Sequence, residues 1–209
     1  MCRFVAPLLL LATIPGFAQV TYDATNYPVA DITSTQVADF NRDGRPDIAF
    51  SASDGIHLKR NTGGGVFGGD LVSPGADGNL LAADVNGDGW PDLIDMEPSG
   101  SFTALLNHRD GTFTRGPRAT LASEGRGMVA GDLNLDGKVD LIENQGQKLR
   151  VFKGTGVGSF TSGVTLSTAN LIRDFELTDI NGDGKLDLLV AEGNKLVIWP
   201  GLGDGTFGS

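Results

Sequence analysis

An all-β fold of repeated, four-stranded antiparallel sheets is predicted by three observations in this 209-residue chain. A nine-residue segment rich in aspartate occurs four times in one phase, and a glycine-rich turn closing on phenylalanine occurs four times at the same period. The intervening stretches are short apolar runs bounded by Gly, Asn, Asp and Ser, which read as strands rather than helices. Self-similarity at such a period is the signature of solenoids and propellers. With 40% hydrophobic residues the chain can bury a core.

Residues 1–18 read as an address. Arg3 precedes an apolar stretch from Val5 to Ile14, and Gly16-Phe17-Ala18 places small residues at the −3 and −1 positions of a cleavage site. About 10 apolar residues fall short of the ~20 that a bilayer span needs, so a secretory signal peptide is expected. No later stretch is long and apolar enough to span. Export predicts a secreted, periplasmic or extracellular location. Cleavage removes the single cysteine, Cys2, and takes the formal charge from −10 to −11. An exported fold without a disulfide needs another stabiliser.

Residues 19–209 form the repeat array. The first landmark spans 39–47, 84–92, 132–140 and 179–187, always Asp-x-Asn-x-Asp-Gly-x-x-Asp, with first aspartates 45, 48 and 47 residues apart. The second landmark ends on Phe67, Phe113, Phe160 and Phe207, spaced 46, 47 and 47. The first unit shows the four expected strands: Gln36–Phe40 entering the Asp loop, Asp47–Ser51 leaving it, Ile56–Arg60 before the glycine turn, and Asp70–Ser73 after the phenylalanine. Four strands in about 47 residues match one propeller blade. A β-propeller is therefore expected. The chain reaches Phe207-Gly-Ser209 where a fourth outer strand should come next, while an orphan run at 20–29 precedes the first loop, so that run is expected to complete the last blade. Two arrangements are open: a four-bladed ring, or half or a fragment of a seven- or eight-bladed ring, completed by a homodimer or a longer chain.

The loops carry the chemistry. Of 26 acidic residues 21 are aspartate, and 12 of these lie in the four loops. Oxygen donors at positions 1, 3, 5 and 9, glycine at 6 and a main-chain carbonyl at 7 suit a hard cation that takes six to eight oxygens. One such loop is commonly a surface turn, but all sixteen donor positions here are Asp or Asn. An EF-hand loop needs an acid at position 12, occupied by Phe50, Asp95, Glu143 and Val190, and flanking helices that the pattern lacks. Zinc is disfavoured, because no cysteine remains after cleavage and His57 and His108 lie outside the loops.

These landmarks resemble the FG-GAP or VCBS-type repeat, the unit of calcium-binding β-propellers in integrin α subunits and many exported bacterial proteins. The resemblance implies about four Ca2+ ions. The first would be held by Asp39, Asn41, Asp43, Asp47 and the Arg45 carbonyl, and the second by Asp84, Asn86, Asp88, Asp92 and the Trp90 carbonyl. The third would use Asp132, Asn134, Asp136, Asp140 and the Lys138 carbonyl; the fourth, Asp179, Asn181, Asp183, Asp187 and the Lys185 carbonyl.

An acidic chain does not carry the basic footprint of a nucleic-acid binder. A catalytic site usually breaks repeat symmetry, and no constellation does so convincingly. His108 reads as a solvated turn residue, and Asp95, Glu97, Glu143 and Glu192 as exposed acids near strand ends. Trp199, Phe152 and Leu105 are equivalent, so Trp199 reads as core. No nucleophile elbow or phosphate loop is present. The expectation is a non-enzymatic binding module for extracellular protein or carbohydrate, touching its ligand through Ser53-Asp54, Glu97-Pro98-Ser99, Asn144-Gln145 and Glu192-Gly193-Asn194. The alternative is the scaffold of a secreted polysaccharide lyase or phosphodiesterase.

Overall fold

The computed structural model of the protein describes residues 27, 31–75, 78–97, 100–119 and 125–208. The expected signal peptide, and all of the run 20–29 except Tyr27, lie outside them. Among the described residues no helix is long and apolar enough to cross a membrane.

Four antiparallel sheets succeed one another along the chain. Blade 1 contains β1 (Ser34–Ala38), β2 (Asp47–Ala52), β3 (Gly55–Gly63) and β4 (Val66–Ser73). Blade 2 contains β5 (Asn79–Ala83), β6 (Asp92–Met96), β7 (Phe102–Asn107) and β8 (Phe113–Ala119). Blade 3 contains β9 (Met128–Gly131), β10 (Asp140–Asn144), β11 (Lys148–Gly154) and β12 (Phe160–Ser167). Blade 4 contains β13 (Ile172–Thr178), β14 (Asp187–Glu192) and β15 (Lys195–Trp199), with one bridge, Gly201 to Phe207, beyond them. Each Asp loop joins the first two strands of its blade. In blades 1 to 3 the glycine turn joins the third strand to the fourth.

The blades stack face to face. The second strands β6 and β10 are buried along their whole length, because each lies between two neighbouring sheets and has no solvent face to alternate towards. The first junction buries Ala49 and Leu58 of blade 1 against Leu93 and Leu105 of blade 2. Blade 2 places Ile94 and Ala104 against Leu141 and Phe152 of blade 3, and blade 3 places Ile142 and Val151 against Leu188 of blade 4, with Trp199 beside them. The equivalence of Leu105, Phe152 and Trp199 holds in register, since they face Leu93, Leu141 and Leu188 respectively. Burying one such aliphatic or aromatic side chain contributes about 1.5–3 kcal/mol.

Why the two landmarks share a period becomes plain at these junctions. The second residue of each of the first three Asp loops packs on the phenylalanine of the next blade's glycine turn: Phe40 on Phe113 as an edge-to-face pair 5.8 Å apart, Val85 with Phe160, and Leu133 with Phe207. The turn glycines reach back as well, Gly158 N donating to the Val85 carbonyl at 3.2 Å and Gly205 N to that of Leu133 at 3.0 Å. One repeat's second landmark is thus the lock for the previous repeat's first. Along the innermost edge β1, β5, β9 and β13 lie side by side, and Ser34 Oγ and Gln36 Oε1 accept from the amides of Leu80 and Ala82.

The array is an open arc, not the closed four-bladed ring entertained from sequence. At the blade 4 end the residues that continue the junction pattern are bare. Ile180, the counterpart of Phe40, is 52% exposed, and Ile198, the counterpart of Leu58, is 44% exposed. At the other end Lys59 stands where the later blades have Leu105, Phe152 and Trp199. Tyr27 lies on blade 1, its hydroxyl accepting from the Phe67 amide at 3.1 Å and its ring meeting that of Phe67 edge-on at 6.0 Å. The one described residue of the run expected to complete the last blade therefore sits on the first. Among the described residues blade 4 has three strands rather than four.

Candidate metal centres and the opposite rim

All four Asp loops lie at one rim, and local geometry explains their sequence. Gly44, Gly89, Gly137 and Gly184 at position 6 have φ between 77 and 83°, the left-handed region in which a Cβ is strained. Position 4 is left-handed too, in Arg42, Gly87, Leu135 and Gly182. Nothing in the arginine or leucine identity signals this, so the sequence reading did not find it.

Inside each loop the side chains turn onto the loop's own amides. In the third, Asp132 accepts from Asp136 N at 3.2 Å and Gly137 N at 2.8 Å, Asn134 accepts from Asp136 N at 3.0 Å, and Asp136 accepts from Lys138 N at 3.0 Å. The other loops repeat the pattern: Asp39 to Gly44, Asp84 to Gly89 and Asp179 to Gly184, with Asn41, Asn86 and Asn181 each holding the amide two residues on. Each position-5 aspartate also meets a base. Asp43 pairs with Arg45, Asp136 with Lys138 and Asp183 with Lys185. Position 7 of the second loop is Trp90, and there Arg109 from the β7–β8 turn takes over, 3.3 Å from Asp88. The guanidinium groups of Arg42 and Arg109 both lie over the Trp90 ring, 5.6 and 5.8 Å from its centroid.

The ninth aspartates differ from the rest. Asp47, Asp92, Asp140 and Asp187 are fully buried, and each spends both oxygens on main-chain amides. One oxygen accepts from loop position 2 (Phe40, Val85, Leu133 or Ile180), the other from the end of the third strand or just beyond it (Asn61, Asn107, Gly154 or Gly201). Burial raises the pKa of Asp92 to about 6 despite the amides of Asn107 and Val85, and raises those of Asp47 and Asp140 as well. The position read from sequence as one more metal donor is thus also the staple that joins three strands.

Among the described residues no three carboxylate, imidazole or thiol groups gather as a metal cluster. The donor chemistry of each loop nonetheless fits a hard divalent cation, with two outer carboxylates, an Asn carbonyl, a main-chain carbonyl and a buried carboxylate on one short turn. A carboxylate has about four lone-pair sites, so the amide bonds leave acceptor capacity on every loop acid.

At the opposite rim one expectation is corrected. Asp95 and Glu143, read as exposed, are completely buried, and Glu192 is 8% exposed. They sit on the strand face directed at the preceding blade, which a single sequence does not specify. Glu143 Oε2 accepts from Gln145 Nε2 at 2.8 Å, whereas among the described residues Oε1 has no hydrogen-bond partner. Burial pushes its pKa up to about 7, against the bond from Gln145. The folded protein therefore holds a proton there that the unfolded chain loses near its ordinary value, so stability falls as pH rises from about 4.5 through 7. Glu143→Gln is expected to remove about 3 kcal/mol of that pH-dependent loss. Denaturant unfolding of both proteins at pH 5 and pH 8 checks it; a pH-independent difference between them would refute it.

His57, also buried, accepts or donates at both nitrogens, 3.0 Å from Asp70 and 2.7 Å from Asp54, and stacks on Phe50. His108 is exposed as expected, hydrogen-bonded to Thr114. Of the turns expected to contact a ligand, Ser53-Asp54, Asn144-Gln145 and Glu192-Gly193-Asn194 lie at this rim; Pro98 and Ser99 lie outside the described residues.

With the loop geometry in place, family comparison adds a decisive match: the FG-GAP-like repeat fits residues 39–94, 84–143 and 132–190. The chain belongs to the FG-GAP-like repeat family. No curated protein matches it. Among solved structures, this FG-GAP-like protein is similar to an Agrocybe aegerita lectin that recognises non-reducing terminal N-acetylglucosamine (TM-score 0.65, 23% identity, covering 89% of this chain and 53% of the lectin). It is also similar to the Photorhabdus luminescens Tc holotoxin pore (0.53, 25%, covering 83% and 9%) and to the V. cholerae biofilm matrix protein Bap1 (0.50, 16%, covering 83% and 27%). The FG-GAP-like chain thus spans about half of the lectin and smaller shares of the other two. These likenesses concern the fold.

Proposed function

We propose that this FG-GAP-like protein is an exported, non-enzymatic binding module for extracellular carbohydrate or protein, in which calcium ions in the four Asp loops have a structural role. The observation that carries the reading is the division between its rims. One rim repeats a single oxygen-rich loop four times with the same hydrogen bonds, as a structural element should. The other rim is built of turns that differ from blade to blade, as a recognition surface should. In each loop the outer aspartates, the asparagine and the position-7 carbonyl would face the ion, and the ion would replace the basic partner of the fifth residue. The likeness to a sugar-recognising lectin supports testing carbohydrate first.

The test is a glycan array that includes N-acetylglucosamine-terminated chains, probed with the protein in calcium and again after chelation, with the bound sugars recovered and sized. Retention of intact glycan in calcium, lost on chelation, is expected. Shortened or eliminated products would establish an enzyme instead, and a blank array in calcium would remove the carbohydrate reading.

A further inference from the structure

The rim opposite the Asp loops contains a groove of about 790 Å³ between blades 3 and 4, a size typical of small-ligand sites. Arg126 and Arg173 line it together with Asn144, Gln147, Asn170 and Leu171. By contrast, the cavity at the junction of blades 2 and 3 is about 220 Å³ and is lined by Leu80, Leu81, Ile94, Met96 and Met128 among others, with no charged residue. The larger groove therefore breaks the repeat, which the scaffold alone does not require.

Its walls are laced by main-chain bonds. The segment 168–172 is tied to the β10–β11 turn by Thr168 N to the Gln147 carbonyl at 2.9 Å and Ile172 N to the Gly146 carbonyl at 2.8 Å. On the blade 4 side Gly193 N donates to the Leu171 carbonyl at 3.3 Å, and Asn170 N to Glu192 Oε2 at 3.4 Å. Asn144, 3% exposed, holds the Gly146 amide at 2.8 Å through its side-chain oxygen. Such anchoring limits the ordering that a ligand must impose.

The charge at this groove opposes that of the molecule. The chain carries a net −10, and at the loop rim Arg45, Arg109, Lys138 and Lys185 are taken up by loop aspartates. Arg126 and Arg173 are exposed, and among the described residues neither forms an ion pair or a side-chain hydrogen bond. Their guanidinium groups are suited to bidentate capture of an oxyanion. The Gln147 and Asn170 amides can serve hydroxyls, and Leu171, 55% exposed, offers an apolar surface for the C–H face of a sugar ring.

We propose that the groove between blades 3 and 4 binds an anionic carbohydrate, with Arg126 and Arg173 receiving its acidic group. This rests on the binding-module reading and specifies its ligand. The acidic group is a uronate carboxylate or a sulfate ester, which share the chemistry that an arginine pair recognises.

Titration calorimetry of the calcium-loaded full chain would use four probes of equal length: an oligouronate, its methyl-esterified form, a sulfated oligosaccharide and an unsulfated one. The expected result is binding of at least one anionic probe over its neutral counterpart, with the two charged arms separating carboxylate from sulfate. Arg126→Gln and Arg173→Gln should each weaken that binding about tenfold or more, while melting temperatures stay near wild type because both residues are exposed. Equal binding of charged and neutral probes, or of wild type and both variants, would overturn the groove's assignment and leave the module reading intact. Failure of all four probes would overturn the assignment too; the carbohydrate reading itself fails only if the wider array is also blank.

Discussion

Removing calcium from the protein is expected to lower its melting temperature by roughly 5–10 °C for each site that had been saturated. A ligand held at a hundredfold excess over Kd stabilises the native state by about 2.7 kcal/mol per independent site, and each kcal/mol moves the midpoint of a domain this size by roughly 2–4 °C. Four sites together would dominate the stability of a chain with a single cysteine. Charge makes the direction firm: 12 aspartates are concentrated in four short loops of a chain whose net charge is −10, and four divalent ions would offset most of it. Protein side chains offset that repulsion only in part, since each position-5 aspartate has one basic neighbour on a largely exposed turn, and such pairs contribute little. Differential scanning calorimetry with calcium and with chelator measures the effect. Identical midpoints would sink the structural role assigned to calcium.

The second large effect separates two aspartates of the same loop. Asp140→Ala is expected to destabilise the protein by about 3–5 kcal/mol even in chelator, because it orphans the buried amides of Leu133 and Gly154, now held at 3.1 and 2.8 Å. Asp136→Ala, on an exposed turn, should cost less than about 1 kcal/mol in chelator, yet abolish or strongly weaken one calcium site. Denaturant unfolding with and without calcium, beside calorimetric stoichiometry, gives both quantities. If Asp140→Ala unfolds like wild type in chelator, the ninth position is a metal ligand alone. If Asp136→Ala binds calcium with full stoichiometry and affinity, its place as a ligand is wrong.

Much of this division is legible in the sequence, though not its cause. The pattern of four Asp loops and four phenylalanine turns locates every blade, and the strands of blade 1 fall close to the runs read from its apolar residues. Spacing finds the ninth aspartate, but spacing treats it like positions 1, 3 and 5. Its role as a staple depends on Asn61, Asn107, Gly154 and Gly201, which lie 14 or 15 residues downstream and reach it only when the third strand folds back. Glu143 shows the opposite error. An acid near a strand end reads as exposed, yet β10 is covered on both sides.

The repeat sequence by itself determined the all-β class, the number and phase of the repeats and the oxygen-rich chemistry of the loops, because those are local properties that recur with each period. Tertiary structure decided how the periods interlock. Phe113, Phe160 and Phe207 close on the loop of the preceding blade, while Ile180 is left bare and the arc open. It also decided which acids are buried and where two arginines flank a groove. Those outcomes depend on which face of each sheet meets its neighbour, and face-to-face contact between sheets separated by a whole repeat leaves no mark on the spacing of a single blade.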